Sequence, residues 1–431
     1  MKDEVNIFWF RRDLRLNDNI GLSKALENNL PVLLLFIFDL NILNQLEDKN
    51  DRRVDYIHQA LQQLNTELKE YNSSVLIKIG DPLKILNALN IEYKINTIYC
   101  NEDYEQYSIE RDLEISKVFN LKSYKDHVVF RYDEILKTDQ TPYTVYTPYS
   151  KQWKAKISEQ DYKQHNSDLN KIYRSSFELP TLESIGFKKT TLQISLPDFK
   201  TKSFKNYSKE RDIPSLDSTT KISTALRFGT ISIRECVRTA YANNADVWLN
   251  ELIWRDFFIQ ILAHFPKSAY QAFKLKYDNI KWINDETNFK AWCKGETGYP
   301  IVDAGMKELN ETGFMHNRVR MIVSSFLCKH LLIDWRWGEA YFANKLNDYE
   351  LASNVGNWQW AASSGCDAVP YFRVFNPTLQ QEKFDPKFKY IIKWIPNFDP
   401  DNYLAPIIDH SFARQRAIDT YKKGLQDFEN L

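Results

Sequence analysis

The residues best placed to do chemistry lie between Asn347 and Pro377, in NDYELASNVGNWQWAASSGCDAVPYFRVFNP. The run holds two carboxylates (Asp348, Glu350), an amide (Asn354), two indoles (Trp358, Trp360) and a cation (Arg373). Glu350, Asn354 and Trp358 follow one another at intervals of four, so a helix here carries all three on one face. A face of carboxylate, amide and indole suits a flat aromatic ring with polar edges. A helix hairpin whose aromatics merely fill an interior has the same composition. Two features count against that plain reading: there is no long aliphatic stripe, and Gly356 and Gly365 permit close backbone approach.

Four further groups carry candidate chemistry. The hydroxyls of STTKIS, Ser218 to Ser223, follow Pro214 and Asp217 at the expected start of a helix, where they serve either as an N-cap or as a seat for phosphate. Glu251, Trp254 and Arg255 share one helix face. They read as an ion pair beside a core indole, or as a ring that stacks on a base with a carboxyl that bonds the base edge. Asn317, Arg320 and Met321 lie within about one turn. This is either a solvated face or one in which Arg320 pairs with Asp348 while Arg318 turns to a phosphate. Arg373, Lys383, Lys387, Lys389 and Lys393 interleave with Tyr371, Phe372, Phe375 and Phe388, a solvated run or a phosphate grip.

These groups need elements to position them. At 431 residues the chain is too long for one ordinary core and implies two domains. Residues 1–135 alternate strand-like runs (VNIFWF, PVLLLFIF, SVLIKI, NTIYC, SYKDHVVF) with helical segments such as Arg52 to Tyr71, the pattern of a doubly wound parallel α/β sheet. It contains neither GxGxxG nor a Walker A sequence, so a dinucleotide is not expected there. Residues 136–202 lose both periods and read as a long surface linker. Residues 203–431 are dominated by helical spacing, as in Trp248 to Phe265 with Pro266 ending the helix, and predict an all-helical domain.

Composition narrows the classes further. Lys+Arg and Asp+Glu both number 57, so any surface for a polyanion must be a segregated patch. The five cysteines show no CxxC or Cys/His metal spacing, so no metal is expected. Without a signal segment, and with Val32 to Phe38 as its longest apolar run, the protein is expected to be soluble and cytoplasmic. Nine of the 11 tryptophans fall from Trp248 onward, which means a large aromatic core, rings put to use, or both.

FWFRRDLRLNDN (Phe8 to Asn19), TGFMHNRVRM (Thr312 to Met321), DWRWGEAYF (Asp334 to Phe342) and NWQWAA (Asn357 to Ala362), in that order, resemble the photolyase and cryptochrome flavoproteins. The likeness is greatest to the class I cyclobutane pyrimidine dimer (CPD) DNA photolyases and spans the chain to Pro386, the linker excepted. It implies light-driven repair of damaged DNA by a monomer, with FAD, as FADH⁻ when active, held in the helical domain. The matching cofactor positions are Tyr207, Thr219, Thr220, Lys221, Ile222, Ser223, Arg255, Arg320, Asp348, Glu350 and Asn354, the last facing the flavin N5. Glu251, Trp254, Asn317 and Met321 match lesion contacts, and Arg211, Arg318, Arg373 and Gln380 match contacts to DNA. Trp282, Trp335 and Trp358, core residues by default, match a relay of indoles that carries an electron to the flavin.

The chain departs from the family in two places. Glu350 stands where class I members have Asp, and the Asn-Glu pair and Lys of folate-binding members are replaced by Tyr107, Ser108 and Glu296. The resemblance therefore leaves the antenna open among a deazaflavin, another chromophore or none. It also admits a cryptochrome-like light receptor without repair activity. A (6-4) photolyase is disfavoured by Asn317 and Met321.

Overall fold

In the computed structural model, which describes residues 2–194, 199 and 204–429, the first two apolar runs form neighbouring parallel strands, β1 (Glu4–Phe10) and β2 (Val32–Asp39). Both are buried almost without a break. A strand covered on both faces has no reason to alternate apolar with polar residues, hence the continuous runs. β3 (Leu76–Gly80), β4 (Lys94–Asn101) and β5 (Leu121–Tyr124) complete a parallel sheet in the order β3-β2-β1-β4-β5. This is the expected doubly wound α/β architecture. The 202–203 junction expected from sequence lies outside the described residues.

The strand order reverses beside β1, and the carboxyl ends of β1 and β4 are where such sheets usually take a ligand. Here that crevice contains a buried polar network. Asn101 Nδ2 donates to Asp13 Oδ2 at 2.6 Å and Asn19 Oδ1 at 2.8 Å, and its Oδ1 accepts from Gly21 N at 2.9 Å. The conspicuous FRRDLRLNDN run thus builds the turn after β1.

Two expectations need correction. β5 takes LKSY and not SYKDHVVF. The amides of Val129 and Phe130 donate to the Asp256 carboxylate at 3.2 and 3.4 Å, so their partners come from a side chain and not from a ladder. Burial raises the pKa of Asp256 to about 6, and Trp153 Nε1 donates to it at 3.1 Å. The stretch expected to be an aperiodic linker contains a helix, Tyr146–Lys156, which buries Tyr149 and Trp153. Two apolar anchors four residues apart are too few to register as a period.

By contacts the chain forms two compact units. One comprises Met1–Ile135, Gln152–Lys202 and Thr220–Asp256; the other comprises Leu136–Lys151, Ser203–Thr219 and Phe257–Leu431. The first is knit by buried ion pairs: Asp126 takes Arg15 at 2.6 Å and Arg234 at 2.7 Å, and Asp18 takes Arg234 at 2.9 Å. The second is helical. One core of it gathers Trp292, Trp335, Phe342, Trp358 and the apolar faces of helices Pro300–Thr312 and Asn317–Ser325. Among the described residues no helix is long and apolar enough to cross a membrane.

Within the second unit the Asn317–Ser325 helix runs on into a π-turn, Phe326–His330, that turns Lys329 wholly inward. Its Nζ donates to Ser363 Oγ at 2.8 Å and lies 3.7 Å from the centroid of the Tyr421 ring. Burial lowers its pKa to about 7. The unfolded chain keeps this proton to about pH 10.4. Between those values the unfolded state therefore binds more protons, and stability rises with pH. The melting midpoint of Lys329→Met, measured relative to wild type by circular dichroism, should fall as pH is raised from about 7 to about 10. A pH-independent difference would rule out a buried lysine that releases its proton on folding.

Candidate functional site

The Leu351–Ala361 helix puts Asn354 and Trp358 on the face expected from their spacing, with Glu350 at its N-cap position. All three line one cavity of about 90 Å³ in the second unit. Gly338, on the neighbouring helix Trp335–Lys345, makes the packing possible: a Cβ there would lie 2.1 Å from Trp358 Cη2. Gly356 does the same on the opposite face, where a Cβ would lie 2.2 Å from the Phe258 ring.

The facing wall comes from the Asn317–Ser325 helix. His316 caps it, its Nδ1 accepting from Arg318 N at 3.2 Å. That bond needs a neutral imidazole, and burial lowers the His316 pKa to about 4. The cap sets Asn317, Arg320, Met321 and Ser324 along the cavity. Arg320 is held by Nε donating to Met315 O at 2.7 Å, and its Nη2 donates to Asp348 Oδ2 at 2.9 Å. The expected pairing of Arg320 with Asp348 is therefore present. Asp348 Oδ1 is buried with no hydrogen-bond partner among the described residues, and Asp348 lines the cavity. A buried acceptor in this state is open to a donor from water or from a bound ligand.

Asn354 is oriented by a residue that sequence reasoning missed. Its Nδ2 donates to Glu339 O at 3.1 Å and Glu339 Oε1 at 2.9 Å. Two acceptors on one side fix which end is nitrogen, so Oδ1 is left as the amide's accepting atom. Burial raises the pKa of Glu339. Glu339 stands inside DWRWGEAYF, and that placement was the available signal. Trp360, Tyr349 and Ser353 also line the cavity. Trp292, wholly buried, has its ring centroid 6.1 Å from that of Trp358.

Of the other candidates, Trp335 is buried and Trp282 half-buried in or against the core that contains Trp358. Trp282 packs edge-on against Tyr421 with centroids 5.8 Å apart. Tyr207 is buried beneath Arg211, and Thr219 is half-buried, both in the second unit away from this cavity. Arg318 and Gln380 line a separate concavity of that unit, and Arg373 is exposed.

Thr220, Lys221, Ile222, Ser223, Glu251, Trp254 and Arg255 belong to the first unit. The Thr220 hydroxyl accepts from Trp248 Nε1 at 3.1 Å, and Lys221 adopts a left-handed φ of 51°. The short helix Ser223–Phe228 has Ile222 at its cap position, so the hydroxyls do not form the side-chain N-cap. Arg255 Nη1 donates to His127 O at 2.6 Å. Glu251 and Trp254 are half-buried, three residues apart on one helix.

Comparison with known proteins gives a consistent result. Residues 248–401 match the family described as the FAD binding domain of DNA photolyase, and residues 6–167 match the DNA photolyase domain. The deoxyribodipyrimidine photo-lyase of Synechococcus sp. is 35% identical over 460 residues, covering 95% of each chain. A class III photolyase from Agrobacterium tumefaciens superposes with a TM-score of 0.89 at 31% identity, over 99% of this chain and 98% of that one. An archaeal photolyase from Sulfolobus tokodaii, solved with two FAD molecules, gives 0.85 at 34% identity, over 97% and 100%.

The tight seat of Trp358 generates a direct test. Gly338→Ala forces a Cβ into the indole and, 2.6 Å away, into Leu327 Cδ2. Overpacking of this kind costs about 1–3 kcal/mol, so the melting midpoint should drop and the tryptophan emission should shift. An unchanged midpoint and spectrum would show that the indole does not sit against this helix.

Proposed function

The chain belongs to the DNA photolyase family, and from that premise we propose that it is a deoxyribodipyrimidine photo-lyase, a carbon–carbon lyase that repairs cyclobutane pyrimidine dimers in DNA with light. The observation that carries this reading is the half-satisfied Asp348 beside the oriented Asn354 amide and Trp358. The pair of oxygens, one from each side chain, accepts hydrogen bonds from N–H groups on the edge of a ring, which fits a flavin. When bound, FADH⁻ supplies an electron on excitation, which splits the two carbon–carbon bonds of the cyclobutane ring and is then returned.

The protein's own residues do the rest. Arg320 holds Asp348 in place, and Glu339 fixes the orientation of the Asn354 amide. Glu350 adds a second carboxylate to the same wall. We assign the diphosphate to Thr219, Thr220, Lys221, Ile222 and Ser223, with Tyr207 upstream, and count Arg255 among the other cofactor contacts. Lesion recognition falls to Glu251, Trp254, Asn317 and Met321, with carboxyl and amide groups for the base edges and apolar surface for the base faces. Trp282, Trp335 and Trp358 are assigned the reduction of oxidised flavin. Arg211, Arg318, Arg373 and Gln380 are assigned the DNA backbone. All five cysteines are free, which suits work in a reducing cytoplasm.

The test is to illuminate chemically reduced protein with an oligonucleotide that contains a dimer and follow the return of thymine absorbance. Wild type and Trp282→Phe should both restore it, while Trp282→Phe alone loses photoreduction of the oxidised flavin. Glu251→Ala and Trp254→Ala should repair more slowly with an unchanged flavin spectrum. Photoreduction without any restored absorbance would favour a light receptor, and restoration limited to (6-4) lesions would move the chain to that class.

A further inference from the structure

The second concavity of the helical unit sets a carboxylate beside Arg318, one of the residues assigned to the DNA backbone. Arg318, Lys209 and Lys383 line it together with Gln380 and Phe384, and so does one carboxylate, Asp212. Asp212 Oδ2 takes Arg318 Nη2 at 2.9 Å, with the side chains 35% and 18% exposed. The guanidinium also lies 4.4 Å from the centroid of the Phe384 ring, and Lys383 lies 5.1 Å from the same centroid. Arg318 Nε is buried without a partner. The aromatic ring and the ion pair with Asp212 thus hold Arg318 in one place, and the carboxylate offsets part of its attraction for an incoming anion.

We propose that Asp212 is an electrostatic brake on the DNA grip: it orders Arg318 but competes with a DNA phosphate for the same guanidinium. The proposal rests on the reading of the chain as a DNA-repair enzyme. A phosphate that approaches Arg318 must share it with Asp212 or displace Asp212, and it is repelled by that carboxylate in either case. Lys209 and Lys383 keep the concavity net positive, so the brake weakens binding without abolishing it. The consequence is a protein that leaves DNA more readily than its cations alone would allow.

The experiment is a double-mutant cycle. Binding of undamaged duplex is measured against salt for wild type, Asp212→Asn, Arg318→Ala and the double variant, with Asp212→Glu as the conservative control. Partly exposed ion pairs are modest in strength. Asp212→Asn should therefore bind about three- to fivefold more tightly at low salt, with a salt slope steeper by about one counterion. The gain should vanish in the Arg318→Ala background, and Asp212→Glu should behave as wild type. Weaker or unchanged binding by Asp212→Asn overturns the proposal, because the carboxylate would then be a support or a bystander. A gain that persists without Arg318 overturns it too. Failure of the underlying reading looks different: wild type would show no preference for dimer-containing over undamaged duplex.

Discussion

A buried carboxylate with only one oxygen paired is the constraint on which the helical unit turns. Asp348 gives Oδ2 to Arg320 and keeps Oδ1 buried without a protein partner. A buried charge without compensation costs several kcal/mol, so Arg320 must be held where it is. Much of the local backbone serves that end. Gly313, at φ 69°, lets the chain turn where a Cβ would strike Asn347 Oδ1 at 2.1 Å. Asn347 N donates to Gly313 O at 2.8 Å and Asn347 Nδ2 to Thr312 O at 2.9 Å. The turn that precedes the Arg320 helix and the segment that carries Asp348 are therefore tied together one residue before the ion pair.

What was legible in the sequence was whatever depends on short spacing. The shared face of Asn354 and Trp358 follows from an interval of four on one helix, which Glu350 precedes at the cap, and the doubly buried strands follow from uninterrupted apolar runs. The pairing of Arg320 with Asp348 was inferred across 28 residues because both stood in recognisable motifs. Contacts between distant or unmarked residues were out of reach. Glu339 meets Asn354 only because two helices cross, and Asp212 meets Arg318 from more than a hundred residues away. The strand expected at SYKDHVVF failed for a similar reason: Asp256, far along the chain, supplies the acceptor that the β-branched run would otherwise have sought in the sheet.

The neutral composition conceals a local division of charge. With 57 residues of each sign the chain has no net attraction for a polyanion. Three cations and one carboxylate around a single concavity are enough to create a local one. The cavity beside Asp348 works on the opposite principle: hydrogen-bond acceptors are fixed in place, and Trp358 is seated against a glycine. On the proposed reading, the first surface meets phosphates reversibly and the second holds the flavin ring.

The account stands on the claim that the cavity bounded by Asp348, Asn354 and Trp358 receives the flavin ring. A crystal structure of the protein purified with its flavin tests this most directly. The ring should occupy that cavity, with Asp348 Oδ1 no longer without a partner. A ring found elsewhere, with water in this cavity, would contradict the account.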